Sequence, residues 1–416
     1  MLVKEGLGDI EKAIASIRRC PRPVPLFCGV QFYAWGDSEY IPRLLGIDNP
    51  HHKPFAELWI GAHPDLPAEA VIGGVRVRLD RLLEEAPETL LGPKAMAEYQ
   101  GELPFLLKIL AAARPLSIQV HPDREQAEKG YALEDARGIP LDSPRRNYRD
   151  RHHKPELLCA LTPFYLLKGF RPEAEIAEVL AAVPEWKGLS DCFQQKGLRG
   201  FYSHLMTLPQ VEVNALLEPL LARLRNQPEY AKDQPEYWLL LADELYSQGG
   251  NHDRGLFSIL LLNFLCLQPG EGVFQGAGEL HAYLQGVGVE IMANSNNVLR
   301  GGLTPKHVDV SALLDVLKFQ GCKAQVLSPK YRGAEAVYEV PAREFLLSRI
   351  ELERGRPFRS SGPLRLGIVL EGEVEVLWGD GRIRLRKGQS YLIPHGCRCS
   401  FHPRSTAIVY QGACRY

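Results

Sequence analysis

The sequence predicts a mainly β protein: antiparallel jelly-roll domains with an inserted α-helical domain. From about residue 22 to 168 short apolar runs alternate with Gly and Pro, as in PFAELWIGAHP and ARPLSIQVHPD, the pattern of strands joined by turns. From about 172 to 250 apolar residues recur at helical spacing, as in Leu217, Leu220, Leu221 and Leu224, so helices are expected there. From 256 onward short strands return, and LEGEVEVLWGDGRIRLRKGQSYLIPHG carries Gly-Asp-Gly between alternating runs, a hairpin signal. Strands, helices and strands in separate blocks favour antiparallel sheets over βαβ units, which mix the two at short intervals.

The elements divide as follows. Residues 1–21, MLVKEGLGDIEKAIASIRRC and Pro21, are an N-terminal helical extension with acidic residues in its amphipathic repeat, unlike a secretion leader. Residues 22–171 plus 256–310 form the catalytic jelly roll, 172–255 the inserted helical domain, and 311–416 a C-terminal jelly roll without metal ligands. At 416 residues the chain exceeds what one hydrophobic core serves, so several structural units are expected.

Forty-nine basic residues against fifty acidic ones leave a net charge of -1. That balance provides no general field to attract nucleic acid or anionic lipid, so an anionic ligand has to be small and locally held. The longest apolar run, Leu256 to Leu267, is too short to span a bilayer. Nine cysteines without a CxxC pair suit reduced thiols, and the cytoplasm is the expected location. No membrane or nucleic-acid partner is expected, and the chain is expected to act as a monomer.

Three patterns carry chemistry. In PLSIQVHPD the two-residue period of a strand sends Gln119 and His121 to one face and Val120 to the other. In HHKPE, Pro155 biases Lys154 to an extended conformation, so Lys154 and Glu156 can share a face. In PGEGVFQGAGELHAYLQG, Gly270, Gly276 and Gly278 precede His281 at the spacing of a cupin motif, with Gly276 in the proline place. Such a turn delivers a histidine into the mouth of a small barrel. A lone His or Gln in such a run is often structural; the convergence of three patterns points to a metal. Two imidazoles, a carboxylate and an amide oxygen suit catalytic zinc, with iron as the competing ion.

With AELWIGAHPD, LPFLLKILAAARPLSIQVHPD, YRDRHHKPELLCALTPF and GELHAYLQGVGVEIMANSNNVLRGGLTPKHVD in order, the chain resembles the type I mannose-6-phosphate isomerase family over most of its length. The resemblance implies one zinc ion per chain on Gln119, His121, Glu156 and His281. It implies interconversion of mannose 6-phosphate and fructose 6-phosphate through a cis-enediol, with a sugar phosphate as the partner. Lys108, Ser117 and Trp35 map to the phosphate and sugar shell, Arg300 to the active-site arginine, and Lys154 and His153 to acid-base positions. Asn296 stands where the family places an aspartate, Gly301 where it has alanine, and His152 where it has asparagine. Strand parity favours His152 beside Lys154 and Glu156, whereas the resemblance assigns the role to His153. An amide at 296 cannot ionise, so a proton handled there by a carboxylate needs another carrier. The competing readings are a catalytically weak sugar-phosphate-binding cupin and an iron-dependent cupin oxygenase. At the C-terminus Cys397, Cys399, His395 and His402 cluster without a carboxylate, and no second metal is expected.

Overall fold

A computed structural model describes residues 7–227 and 229–415. The expected N-terminal extension forms the helix Leu7–Arg19, which buries Ala13, Ile14 and Ile17 on one face and packs on strands Glu69–Ile72 and Val75–Arg78. Its first residues, 1–6, lie outside the described part.

The spine of the catalytic jelly roll is the strand His281–Ala293. Its first half pairs with Phe164–Phe170, and its second half pairs with Phe105–Ala112 and Glu156–Ala160. The change of partners falls at Gly286, whose φ is 139° and where a Cβ would lie 2.6 Å from the Phe164 ring. A residue without a Cβ is required at this bend. One strand thereby serves both walls of the barrel and carries His281 to its mouth.

The helices between Glu173 and Leu261 pack around Trp186, Phe201, Tyr202 and Trp238. Ile118, Leu280 and Leu299 belong to the same core, so the helical domain buttresses the strand ends that bear Gln119, His281 and Arg300. Among the described residues no helix is long and apolar enough to cross a membrane.

The C-terminal jelly roll joins a nine-stranded sheet to the four strands Phe358–Ser360, Cys399–Pro403, Glu373–Trp378 and Gly381–Arg386. The last two form the hairpin that Gly-Asp-Gly predicted, with Trp378 opposite Gly381. One expectation needs correcting: the units are not separated cleanly at 310/311. Strands Val24–Phe27, Glu69–Ile72 and Val75–Arg78 extend the C-terminal sheet, with Val24 opposite Leu392. Phe105, Ile291, Phe345 and Tyr410 share one core across the boundary. Local alternation makes these segments strands; only tertiary pairing decides which sheet they join.

Candidate metal centre

His121, Glu156 and His281 converge, with one donor atom from each lying within 4.8 Å of the others. His121 follows the short strand Ile118–Val120, Glu156 opens the strand Glu156–Ala160, and His281 opens the spine. All three are buried. His121 Nε2 lies 3.4 Å from Glu156 Oε1, and His281 Nε2 lies 3.3 Å from Oε2.

The tautomers are set from behind. His121 Nδ1 sits 2.8 Å from the Asn297 carbonyl, and His281 Nδ1 sits 3.1 Å from the Glu279 carbonyl. Each Nδ1–H therefore donates to an oxygen, and each Nε2 turns a lone pair toward the Glu156 carboxylate. Burial pushes His121 down to about 4 despite the nearby carboxylate, which keeps the imidazole in its ligating form. Burial alone would raise Glu156, but it is held well below the ordinary carboxylate range, with the Lys154 ammonium 3.3 Å away favouring the ionised form. His121 Nε2 is a buried nitrogen without a hydrogen-bond partner among the described residues. Two lone pairs facing an anion favour a cation between them, so these residues fit a divalent metal.

Gln119 lies opposite His281 on one neighbouring strand and opposite Arg300 on the other. Cross-strand partners share a sheet face, which aligns the Gln119 amide with both. Gln275, opposite Glu156, is fully buried, and neither of its amide atoms has a partner among the described residues. Ser117, half-buried, immediately precedes the Gln119 strand. Trp35 stacks on Tyr33 with ring centroids 5.5 Å apart and packs against the apolar cluster that includes Leu116 and Tyr283.

Lys154 is buried, with its Nζ 3.3 Å from Glu156 Oε1. His153 and His152 part company. His153 Nε2 lies 2.6 Å from Glu344 Oε1, whereas His152 is exposed. The parity expectation that favoured His152 fails because the strand begins only at Glu156, so residues 152–154 do not alternate.

Lys108 is not the free cation that a phosphate contact calls for. Its Nζ is 3.2 Å from Glu290 and 3.5 Å from Glu57, all three buried. Tyr283 donates to Glu290 at 2.9 Å and the Trp59 indole to Glu57 at 2.7 Å. Burial would lower Lys108, but the surrounding carboxylates outweigh it and hold the ammonium charged. Its charge is spent within the protein.

Uncompensated positive charge lies elsewhere. Arg300 is lowered by burial and by Arg149, and Lys306 is lowered by burial, Arg300 and Arg149. None of the three forms an ion pair with a carboxylate among the described residues. Arg149 and Lys306 are exposed beside the half-buried Arg300, so the three are open to an anionic ligand. Arg149 and Lys306 carried no signal in the sequence beyond their place in the motif blocks.

Asn296 accepts at its Oδ1 from His63 Nε2 at 3.1 Å, while the Asp65 backbone N–H donates to His63 Nδ1 at 3.2 Å. Burial lowers His63 below the usual imidazole range. Asn296 thus caps a neutral histidine that sequence reading left unassigned within AELWIGAHPD. Asn297 is a second unassigned organiser. It donates to the Asp150 and His152 carbonyls at 2.9 and 2.8 Å and accepts from the Arg149 N–H at 2.7 Å. It therefore ties the loop that leads to Lys154 to the carbonyl that orients His121.

Residues 24–173 match the model of the phosphomannose isomerase type I catalytic domain. The chain is 40% identical over 375 residues to mannose-6-phosphate isomerase of Escherichia coli (strain K12), covering 88% of this chain and 94% of that one. It is 35% identical over 361 residues to the Homo sapiens enzyme of that name, covering 80% and 82%. It superposes on the crystal structure of mannose 6-phosphate isomerase from Salmonella typhimurium bound to its substrate fructose 6-phosphate and to zinc. The TM-score is 0.86 at 36% identity, over 95% of this chain and 100% of that one.

Proposed function

The chain belongs to the type I phosphomannose isomerase family, and from that premise we propose that it interconverts D-mannose 6-phosphate and D-fructose 6-phosphate as a zinc-dependent isomerase. The observation that carries the reading is the pair of Nε2 lone pairs facing Glu156, with Lys154 beside that carboxylate and a cationic trio nearby.

His121, Glu156 and His281 would hold the zinc ion, one per chain, with Gln119 as the fourth ligand. When bound, zinc supplies Lewis acidity to the sugar oxygens at C1 and C2. His153 opens the ring: it takes the proton of the anomeric hydroxyl as the C1–O5 bond breaks, and returns a proton to O5. Lys154 carries the proton between C1 and C2 through a cis-enediol. Arg300 donates to the oxygen where negative charge develops. Asn296 cannot take the ring-opening proton, so that step falls to His153. Trp35 and Ser117 line the sugar side. Lys108, with Glu57 and Glu290, fixes the shape and charge of the wall next to the site and reaches the phosphate only indirectly.

Arg149 and Lys306, beside Arg300, take the phosphate in place of Lys108. Lys306→Ala is expected to raise KM for mannose 6-phosphate by about 10- to 100-fold with kcat nearly unchanged. A hydrogen bond to a charged group contributes about 1.5–3 kcal/mol, and this one is made in ground and transition states alike. A loss confined to kcat removes Lys306 from the phosphate site.

The function itself is tested on the purified holoprotein with a coupled assay for fructose 6-phosphate and elemental analysis of bound metal. Isomerase turnover that a chelator abolishes and zinc restores is the expected result. Turnover that persists in metal-free protein, or a bound ion that is iron with oxygen uptake, overturns it. All nine cysteines are free, which supports a reducing cytoplasm.

A further inference from the structure

The C-terminal jelly roll carries no proposed metal ligand, yet one of its carboxylates reaches the catalytic site. Glu344 stands at the entry of the strand Phe345–Leu352 and is 5% exposed. Its Oε1 lies 2.6 Å from His153 Nε2, the shortest contact that either side chain makes. Its Oε2 accepts from the Arg343 N–H at 3.1 Å. The turn that presents Glu344 is itself pinned, because the Tyr99 hydroxyl lies 2.7 Å from the carbonyls of both Arg343 and Arg415. Arg124, largely exposed, stands 3.8 Å from the same Oε1 and adds only a screened attraction.

A carboxylate held in this way decides which nitrogen of the ring carries the proton. Burial would raise Glu344, but the donors from His153 and the backbone reverse the effect and keep it ionised. An ionised carboxylate only accepts, so the neutral His153 ring donates its Nε2–H and keeps its lone pair on Nδ1. A base that takes the anomeric proton and returns one to the ring oxygen needs that arrangement. His153 is partly exposed and precedes the strand that starts at Glu156, so no sheet hydrogen bond fixes its ring.

We propose that Glu344 is the positioning residue for His153, fixing its tautomer and ring orientation, so that the C-terminal jelly roll completes the catalytic site. The inference rests on the assignment of ring opening to His153 given above.

The test is a double-mutant cycle on zinc-loaded protein with wild type, Glu344→Gln, His153→Ala and the double variant. Glu344→Gln, nearly isosteric, is expected to lose about 100-fold in kcat with KM within about threefold, since general acid-base groups contribute at least that much. Zinc content should stay stoichiometric. The double variant should be no slower than His153→Ala, because Glu344 acts only through that ring. Glu344→Asp should recover part of the loss. Full kcat in Glu344→Gln overturns the inference, and so does a loss that multiplies with that of His153→Ala, as a separate structural role would give. An active wild type with a fully active His153→Ala fails the underlying role of His153 instead and takes the inference with it. An inactive wild type fails the isomerase reading as a whole.

Discussion

Glu156→Gln is expected to empty the metal site and bring isomerase activity to background. Glu156 is the one anion of the buried trio, and each of its oxygens faces a different imidazole nitrogen at 3.4 and 3.3 Å. Glutamine keeps the volume but replaces one oxygen with an NH2 group. That group can donate to one Nε2, so the variant satisfies internally the lone pairs that the wild type turns toward a cation. Loss of the charge and occupation of a ligand nitrogen act in the same direction on zinc affinity. The fold should survive, because the substitution leaves the strand pairing of Glu156 with Gln275 and Met292 untouched. The checks are zinc per chain by elemental analysis, kcat/KM in the coupled assay, and circular dichroism. Stoichiometric zinc with wild-type turnover refutes Glu156 as a ligand; an unfolded variant points instead to Asp at this position as the gentler probe.

The metal trio was legible in the sequence because each member depends on local rules. A two-residue period places Gln119 and His121, and a glycine-rich turn places His281. What escaped depends on register between distant strands. Lys108 stands opposite Glu290 on one side and Trp59 on the other, and nothing near Lys108 in the chain announces either. Its neutralisation by Glu57 and Glu290 is therefore a tertiary fact, and it is the reason the phosphate contact is proposed for Arg149 and Lys306 instead. The same limit explains why Val24–Phe27 was read into the wrong sheet and why Glu344 went unnoticed, since it lies 191 residues from His153. Strand parity would favour His152 over His153, but that local rule does not apply to residues that precede the strand. Proline at 155 signalled extended backbone, which is weaker than strand pairing. The helical block and the terminal hairpin were read correctly because periodicity and turn chemistry are properties of short segments.

Lys154→Met should abolish isomerisation while leaving zinc and ring opening in place. The groups around the cluster are nearly all committed. His121 and His281 are the proposed ligands, and Lys108 is held by two carboxylates. Lys154 has one close ion-pair partner among the described residues, Glu156 at 3.3 Å, and a metal held by that carboxylate would leave the lysine nitrogen free for the substrate. The ammonium end lies within the buried site, so its carrier can stay near C1 and C2 without exchanging its place with water. Methionine preserves the length and apolar stem and removes the nitrogen, so substrate binding should change little. Removing a proton carrier costs about 10²- to 10⁴-fold, and kcat is expected to fall by about 10³ with KM nearly constant. Two further readouts separate this role from simple damage to the site. In deuterated water the wild type should exchange hydrogen at C1 or C2 during turnover, and Lys154→Met should lose that exchange together with isomerisation. Interconversion of the sugar-phosphate anomers, which requires only ring opening by His153, should persist at the wild-type rate. If Lys154→Met still isomerises mannose 6-phosphate within tenfold of wild type, the proton moves by another group; if exchange, anomerisation and zinc are lost together, Lys154 holds the site rather than carrying the proton.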